Sequence, residues 1–280
     1  LGLFQRDPVD FSDPFFATAE GNAASFYVPL VADPVVGGTI YDGLLHVWRT
    51  KDSGGDQAFL EQYCNEYTGD YGNRPKPCGD WEQLGGAAGN LVAGSDADKG
   101  TGYVVALSRT PADAKTLWAG TRRGRLFISE NANTANAADV KFTRLDTPTQ
   151  PRRFISGIAV DPKNPRHAWV SFSGYNAYTP STPGHVFEVT FNGTTATWTD
   201  LSYNLGDQPI TAIVRDDKSG ELYVGTDFGV ALLKPGATEW KTAASNLPPV
   251  AVYGLTVDPK SRVIYAATHG RGVWRLDISR

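Results

Sequence analysis

An all-β fold, a β-propeller of four-stranded antiparallel blades, is predicted by three observations. The first is a phrase that recurs along the chain: TIYDG from residue 39, LWAGT from 117, AWVSF from 168, LYVGT from 222 and IYAAT from 264. The second is its spacing, since the aromatic residues Trp118, Trp169, Tyr223 and Tyr265 follow one another at 51, 54 and 42 residues, the repeat length of propeller blades. The third is composition. Thirty Gly, 18 Pro, 7 Trp and 41% hydrophobic residues, with no long apolar run, describe short strands and many turns rather than helices. Evenly spaced strands would also fit a sandwich, but a sandwich does not normally repeat one phrase at one place in each hairpin pair.

Taken in order, each phrase reads as the second strand of a unit. An apolar strand ending in a polar turn precedes it: VPLVADP (28–34), VVALSRTP (104–111), ISGIAVDP (155–162), ITAIVRDD (210–217) and VYGLTVDP (252–259). A third strand follows (LLHVWRT, GRLFIS, GHVFEVT, GVALLKPG and GVWRLDI), and four units add an aromatic fourth strand at Trp81, Phe142, Trp198 and Trp240. Five blades result, at about 23–84, 103–145, 154–201, 209–247 and 252–278, within one propeller region covering 1–280. The fifth blade stops after its third strand. Its outer strand must come from residues 1–22 or from the remainder of a larger propeller on a separate chain, because an exposed strand edge invites pairing.

The first blade is interrupted. Thr50-Lys51-Asp52-Ser53-Gly54 begins a Ser/Thr-x-Asp-x-Gly-x-x-Trp turn, yet no aromatic residue follows at the expected place. An insertion at 55–80 separates the turn from its tryptophan, Trp81. Cys64 and Cys78 lie 14 residues apart inside it. They read as a local disulfide clamping the insertion, which implies an oxidising compartment; two free thiols in a cytosolic protein are the alternative.

Several functions are disfavoured. With 26 basic and 30 acidic residues the net charge is −4, so no global basic field exists to hold nucleic acid. No apolar stretch of spanning length occurs. The chain starts Leu1-Gly2-Leu3, as a mature secreted protein or a piece of a longer one would. Two thiols make no zinc site, and the DADKG stretch at 96–100 lacks the later Glu of a calcium loop. No phosphate-binding Gly loop or nucleophile elbow is found, so no metal and no cofactor is expected. Asn192-Gly193-Thr194 is a glycosylation sequon only where the host glycosylates.

On the Thr50–Gly54 stretch, the blade phrases and the closing YAATHGRGVWRLDI (265–278), the chain resembles the Asp-box (BNR-repeat) propellers, a group holding sialidases, xyloglucan-degrading glycosidases and the sortilin ectodomain. It is most similar to actinobacterial secreted sialidase-like proteins. The resemblance implies a secreted protein that binds or cleaves carbohydrate, with a noncatalytic protein- or peptide-binding scaffold as the alternative, since these propellers host both. It also implies that Asp52 caps its own turn, and that ligands bind where the strand 2–3 loops and the interblade loops open around the funnel. Two departures stand out: the sialidase Arg-Ile-Pro signature is absent, and the tandem boxes are reduced to one interrupted copy.

That sorting of loops yields the candidate residues. The funnel face receives Asp42 from blade 1, Arg122 and Arg123 from blade 2, and Tyr175, Asn176 and Tyr178 from a long loop of blade 3. Asp227 of blade 4 and His269 and Arg271 of blade 5 join them, as do Arg152 and Arg153 from an interblade loop. Asp42 and Asp227 are the acid and base candidates for glycoside hydrolysis, which needs two carboxylates about 5–10 Å apart. His269 is a general-base candidate. Two tyrosines can stack on sugar faces, and five arginines in an acidic protein point to an anionic ligand such as a uronate, a sialate or an acidic peptide.

Overall fold

The structure, a computed structural model, describes residues 28–65, 69–70, 73, 75, 81–94 and 102–279. Blade 1 comprises β1 (Leu30–Ala32), β2 (Ile40–Gly43), β3 (Val47–Thr50) and β4 (Glu82–Gln83); blade 2 comprises β5 (Val104–Arg109), β6 (Leu117–Thr121), β7 (Leu126–Ser129) and β8 (Thr143–Arg144). Blade 3 holds β9 (Ile155–Val160), β10 (His167–Phe172), β11 (Val186–Phe191) and β12 (Ala196–Asp200), and blade 4 holds β13 (Ile210–Arg215), β14 (Leu222–Thr226), β15 (Gly229–Leu233) and β16 (Lys241–Thr242). Blade 5 has three described strands, β17 (Val252–Asp258), β18 (Val263–Thr268) and β19 (Gly272–Asp277). All pairings are antiparallel between consecutive strands, and the first strands β5, β9, β13 and β17 pack in succession. This is a β-propeller architecture. Residues 1–22, expected to supply an outer strand, lie outside the described residues.

The recurring phrase has a physical reason. Because strand side chains alternate faces, the aromatic residue of the second strand in blades 1 to 4 points at the following blade, while in blades 2 to 4 its neighbours point at the preceding one. Trp118 packs with Ile155, Ile158 and Val170 of blade 3, whereas Leu117 and Ala119 pack with Tyr41 and Val47 of blade 1. Trp169 likewise joins Ile210, Ile213 and Leu222 of blade 4, and Tyr223 joins Val252, Ile264 and Ala266 of blade 5. The aromatic repeat is thus the seam between sheets.

Buried polar ties cross the same seams. Arg109 of blade 2 donates to Asp33 of blade 1 at 2.7 Å, with both side chains essentially solvent-free. Trp118 Nε1 donates to the Pro165 carbonyl at 2.8 Å, and Trp240 Nε1 to the Leu201 carbonyl at 2.7 Å. Arg262 of blade 5 engages both carboxylate oxygens of Asp216 of blade 4. The Asp residues of the polar turns therefore serve two purposes: Asp33 Oδ1 accepts from the turn amides of Val35 and Val36 while Oδ2 accepts from Arg109.

In the interrupted turn, the Thr50 hydroxyl accepts from the Gly54 amide at 3.0 Å and donates to Asp52 Oδ1 at 3.0 Å. A related turn occurs where the sequence shows no full motif: Ser129 stands at the equivalent place in blade 2, and its hydroxyl contacts Asn131 Oδ1 at 3.3 Å. After Gly54 the insertion opens with helix α1 (Gln57–Tyr63), whose N-cap Asp56 accepts from the Phe59 amide at 2.8 Å. Cys64 is buried at its C-terminal end. Cys78 lies outside the described residues.

Candidate functional site

Two arginine pairs distant in sequence are brought together by one glycine. Gly124, in the β6–β7 turn, has φ +77°, and a Cβ on it would lie 2.3 Å from the Pro151 carbonyl oxygen and 2.9 Å from Arg152 Cα. Only a residue without a side chain permits that approach. The turn carrying Arg122 and Arg123 is thereby laid against the interblade segment carrying Arg152 and Arg153.

All four arginines line one cavity of about 1230 Å³. Tyr178 enters it from the β10–β11 loop, His269 from the β18–β19 turn, and Tyr253 from the start of β17. Three aromatic rings are offered to solvent there: Phe154, Tyr178 and Tyr253 are 37%, 56% and 63% exposed. Tyr253 and His269 form an edge-to-face pair with centroids 5.5 Å apart. No Asp or Glu is among the described residues that line the cavity.

The arginines differ in setting. Arg122 lies over the Tyr103 ring at 5.4 Å, a cation–π arrangement that holds its side chain without removing its charge. Arg152 is exposed. Arg153 is buried, with Nη1 donating to the Gly174 carbonyl at 2.9 Å and Nη2 to the Gly184 carbonyl. Burial pushes its guanidinium below the ordinary arginine value, partly offset by the Asp207 charge. His185 beside it is also pushed down, first by burial and then by the charge of Arg153.

The other residues singled out in the sequence fall elsewhere. Asp42 sits within β2 opposite Trp48 and is 2% exposed, and Asp227 sits in the β14–β15 turn; neither lines the cavity. Arg271 is exposed, its carbonyl accepting from Trp274 Nε1 at 3.1 Å, and it does not line the cavity. Tyr175 is exposed outside it, while Asn176 works within its own loop, its side-chain oxygen accepting from the Gly184 amide at 3.0 Å. Sequence reading missed Phe154, Ser156, Thr211 and Tyr253. Ser156, Thr211 and Tyr253 occupy one register position, the second residue of the first strand, and that shared position is the signal that would have found them.

No protein-family model matches the sequence, and a search of curated proteins finds no match. Solved structures do match in fold. The GH74 xyloglucanase from Xanthomonas campestris is 16% identical with a TM-score of 0.56, covering 92% of this chain and 37% of its own. The extracellular domain of a one-component system from B. thetaiotaomicron is 14% identical with a TM-score of 0.54, covering 92% of this chain and 27% of its own. The β-propeller domain of Cps50 (Swd1) from Myceliophteria thermophila is 11% identical with a TM-score of 0.53, covering 89% of this chain and 64% of its own. The chain thus spans between about a quarter and two thirds of these relatives, and what the likeness establishes is the blade architecture.

Proposed function

We propose that this propeller binds an acidic carbohydrate at the funnel face. One observation carries the reading: four arginines and three exposed aromatic rings surround a single cavity whose described lining holds no carboxylate. Guanidinium groups take carboxylates bidentately and stay charged at any relevant pH, and aromatic rings stack on sugar faces while keeping a polar edge in water. The likeness to a xyloglucanase and the Asp-box features at Thr50–Gly54 support a carbohydrate rather than an unrelated anion. Glycoside hydrolysis needs two carboxylates within about 10 Å of each other at the scissile bond, and the described lining of the cavity holds none, which favours binding.

The test is calorimetric titration with trigalacturonate, with a neutral xylogluco-oligosaccharide and an acidic peptide in parallel. Binding of the uronate alone is expected, weakened about tenfold or more in Arg152→Ala, as loss of a charge-assisted hydrogen bond of roughly 1.5–3 kcal/mol requires. Equal binding of the neutral sugar, or tighter binding of the peptide, overturns it.

An extracellular setting belongs to the same reading. It rests on a Cys64–Cys78 bond, supported by Cys64, the one cysteine among the described residues, carrying no free thiol. Mass measurement after alkylation without reductant should show no added label; two labelled cysteines would refute the bond.

A further inference from the structure

Of the four cavity arginines, Arg153 is the one with almost no surface to offer a ligand, at 5% exposure. Its Nη atoms are committed to two carbonyls, Gly174 and Gly184, which stand at opposite ends of the loop that carries Tyr178. Burying a charge this way is costly unless it satisfies groups that would otherwise go unpaired. Here it closes a loop.

We propose that Arg153 is a positioning residue, the clasp that fixes the β10–β11 loop and holds the Tyr178 ring against the cavity. The clasp has a second half on the next interblade segment. Asp207 Oδ1 accepts from the Asn176 amide at 2.7 Å and lies 3.2 Å from His185 Nε2, and the His185 amide donates to Ser202 Oγ at 2.7 Å. Between the two halves, Asn176 Oδ1 accepts from the Gly184 amide. Gly184 has φ +110°, and a Cβ there would stand 2.5 Å from Phe187 Cζ, so the loop's exit path admits glycine alone. The loop is thus tied to residues on both flanking interblade segments. Tyr178 is 56% exposed, and the loop that carries it is held at both ends by these ties. A ring held in place in advance loses less freedom when a sugar stacks on it, which is how a residue that touches no ligand raises affinity.

The binding consequence rests on the proposed acidic-carbohydrate reading; the clasp itself does not, and the experiment separates them. Hydrogen exchange of the amides from 174 to 185 is measured in wild type, Arg153→Ala and Asp207→Ala, with β6 as internal reference. Both variants should lose protection in the loop while β6 keeps it. Trigalacturonate affinity is measured in Arg153→Ala, Tyr178→Ala and the double variant. Each single change is expected to weaken binding about three- to tenfold, and the double variant to be no weaker than the worse single one, because both remove the same ordered ring. Unchanged loop exchange in both variants overturns the clasp. So does a double variant in which the two factors multiply, which would make Arg153 a direct ligand contact. If wild type binds no acidic saccharide, the functional reading fails and the exchange result alone decides the clasp.

Discussion

Blades 4 and 5 repeat the same face, and among the described residues only that of blade 4 is covered. Tyr223 and Tyr265 occupy the same register position, as do Val230 and Val273, yet Tyr223 is 2% exposed and Val230 8%, against 40% for Tyr265 and 70% for Val273. The difference lies in the neighbour. The face of blade 4 packs on Val252, Ile264 and Ala266 of blade 5, while among the described residues nothing equivalent stacks on the outward face of blade 5. A repeat therefore encodes a surface suited to burial, and whether that surface contributes stability depends on a sheet encoded elsewhere, the nearest-neighbour logic of repeat folds.

The largest expected effect tests that logic directly. Trp118→Ala removes a fully buried ring and its hydrogen bond to the Pro165 carbonyl, and should cost about 3–5 kcal/mol in chemical unfolding. Tyr265→Ala, at the matching position in blade 5, should fall within about 1 kcal/mol of wild type, as surface changes do. Comparable losses in the two variants would mean that the face of blade 5 is covered in solution, and the contrast between blades would disappear.

The fold was legible because its signal is periodic and local. One aromatic residue per second strand, flanked by aliphatic ones, is what a sheet needs when it packs on sheets at both faces, and Trp118, Trp169 and Tyr223 each sit in such a seam. Loop class grouped Arg122, Arg123, Arg152, Arg153, Tyr178 and His269, which all line one cavity. Asp42 did not, because it precedes the turn and lies inside β2, where the pleat rather than the loop sets its direction. The polar ties between blades were not legible at all. Asp33 and Arg109 stand 76 residues apart, and nothing local in either turn announces the partner. Nor did any motif announce that a glycine in the β6–β7 turn would bring two arginine pairs together.

The smaller and more selective effect concerns the seam between blades 4 and 5. The Arg262 guanidinium, first among the causes, holds the Asp216 carboxyl well below the usual carboxylate range, with Ser219 and the Lys218 amide adding to it. A carboxyl whose folded pKa is depressed contributes stability that is fully present above its unfolded value of about 3.9 and is lost as pH falls below that value toward the folded one. The loss should be felt first where least else compensates. Among the described residues blade 5 has packing on one face only, so its β18 amides should lose exchange protection between about pH 4 and 3 while those of β6, seated between two blades, keep theirs. Asp216→Asn should flatten this pH dependence and leave β18 less protected at neutral pH, because the Arg262 charge then faces an amide. If β6 and β18 lose protection together in wild type, the blades unfold as one unit and the weakness assigned to the fifth does not exist.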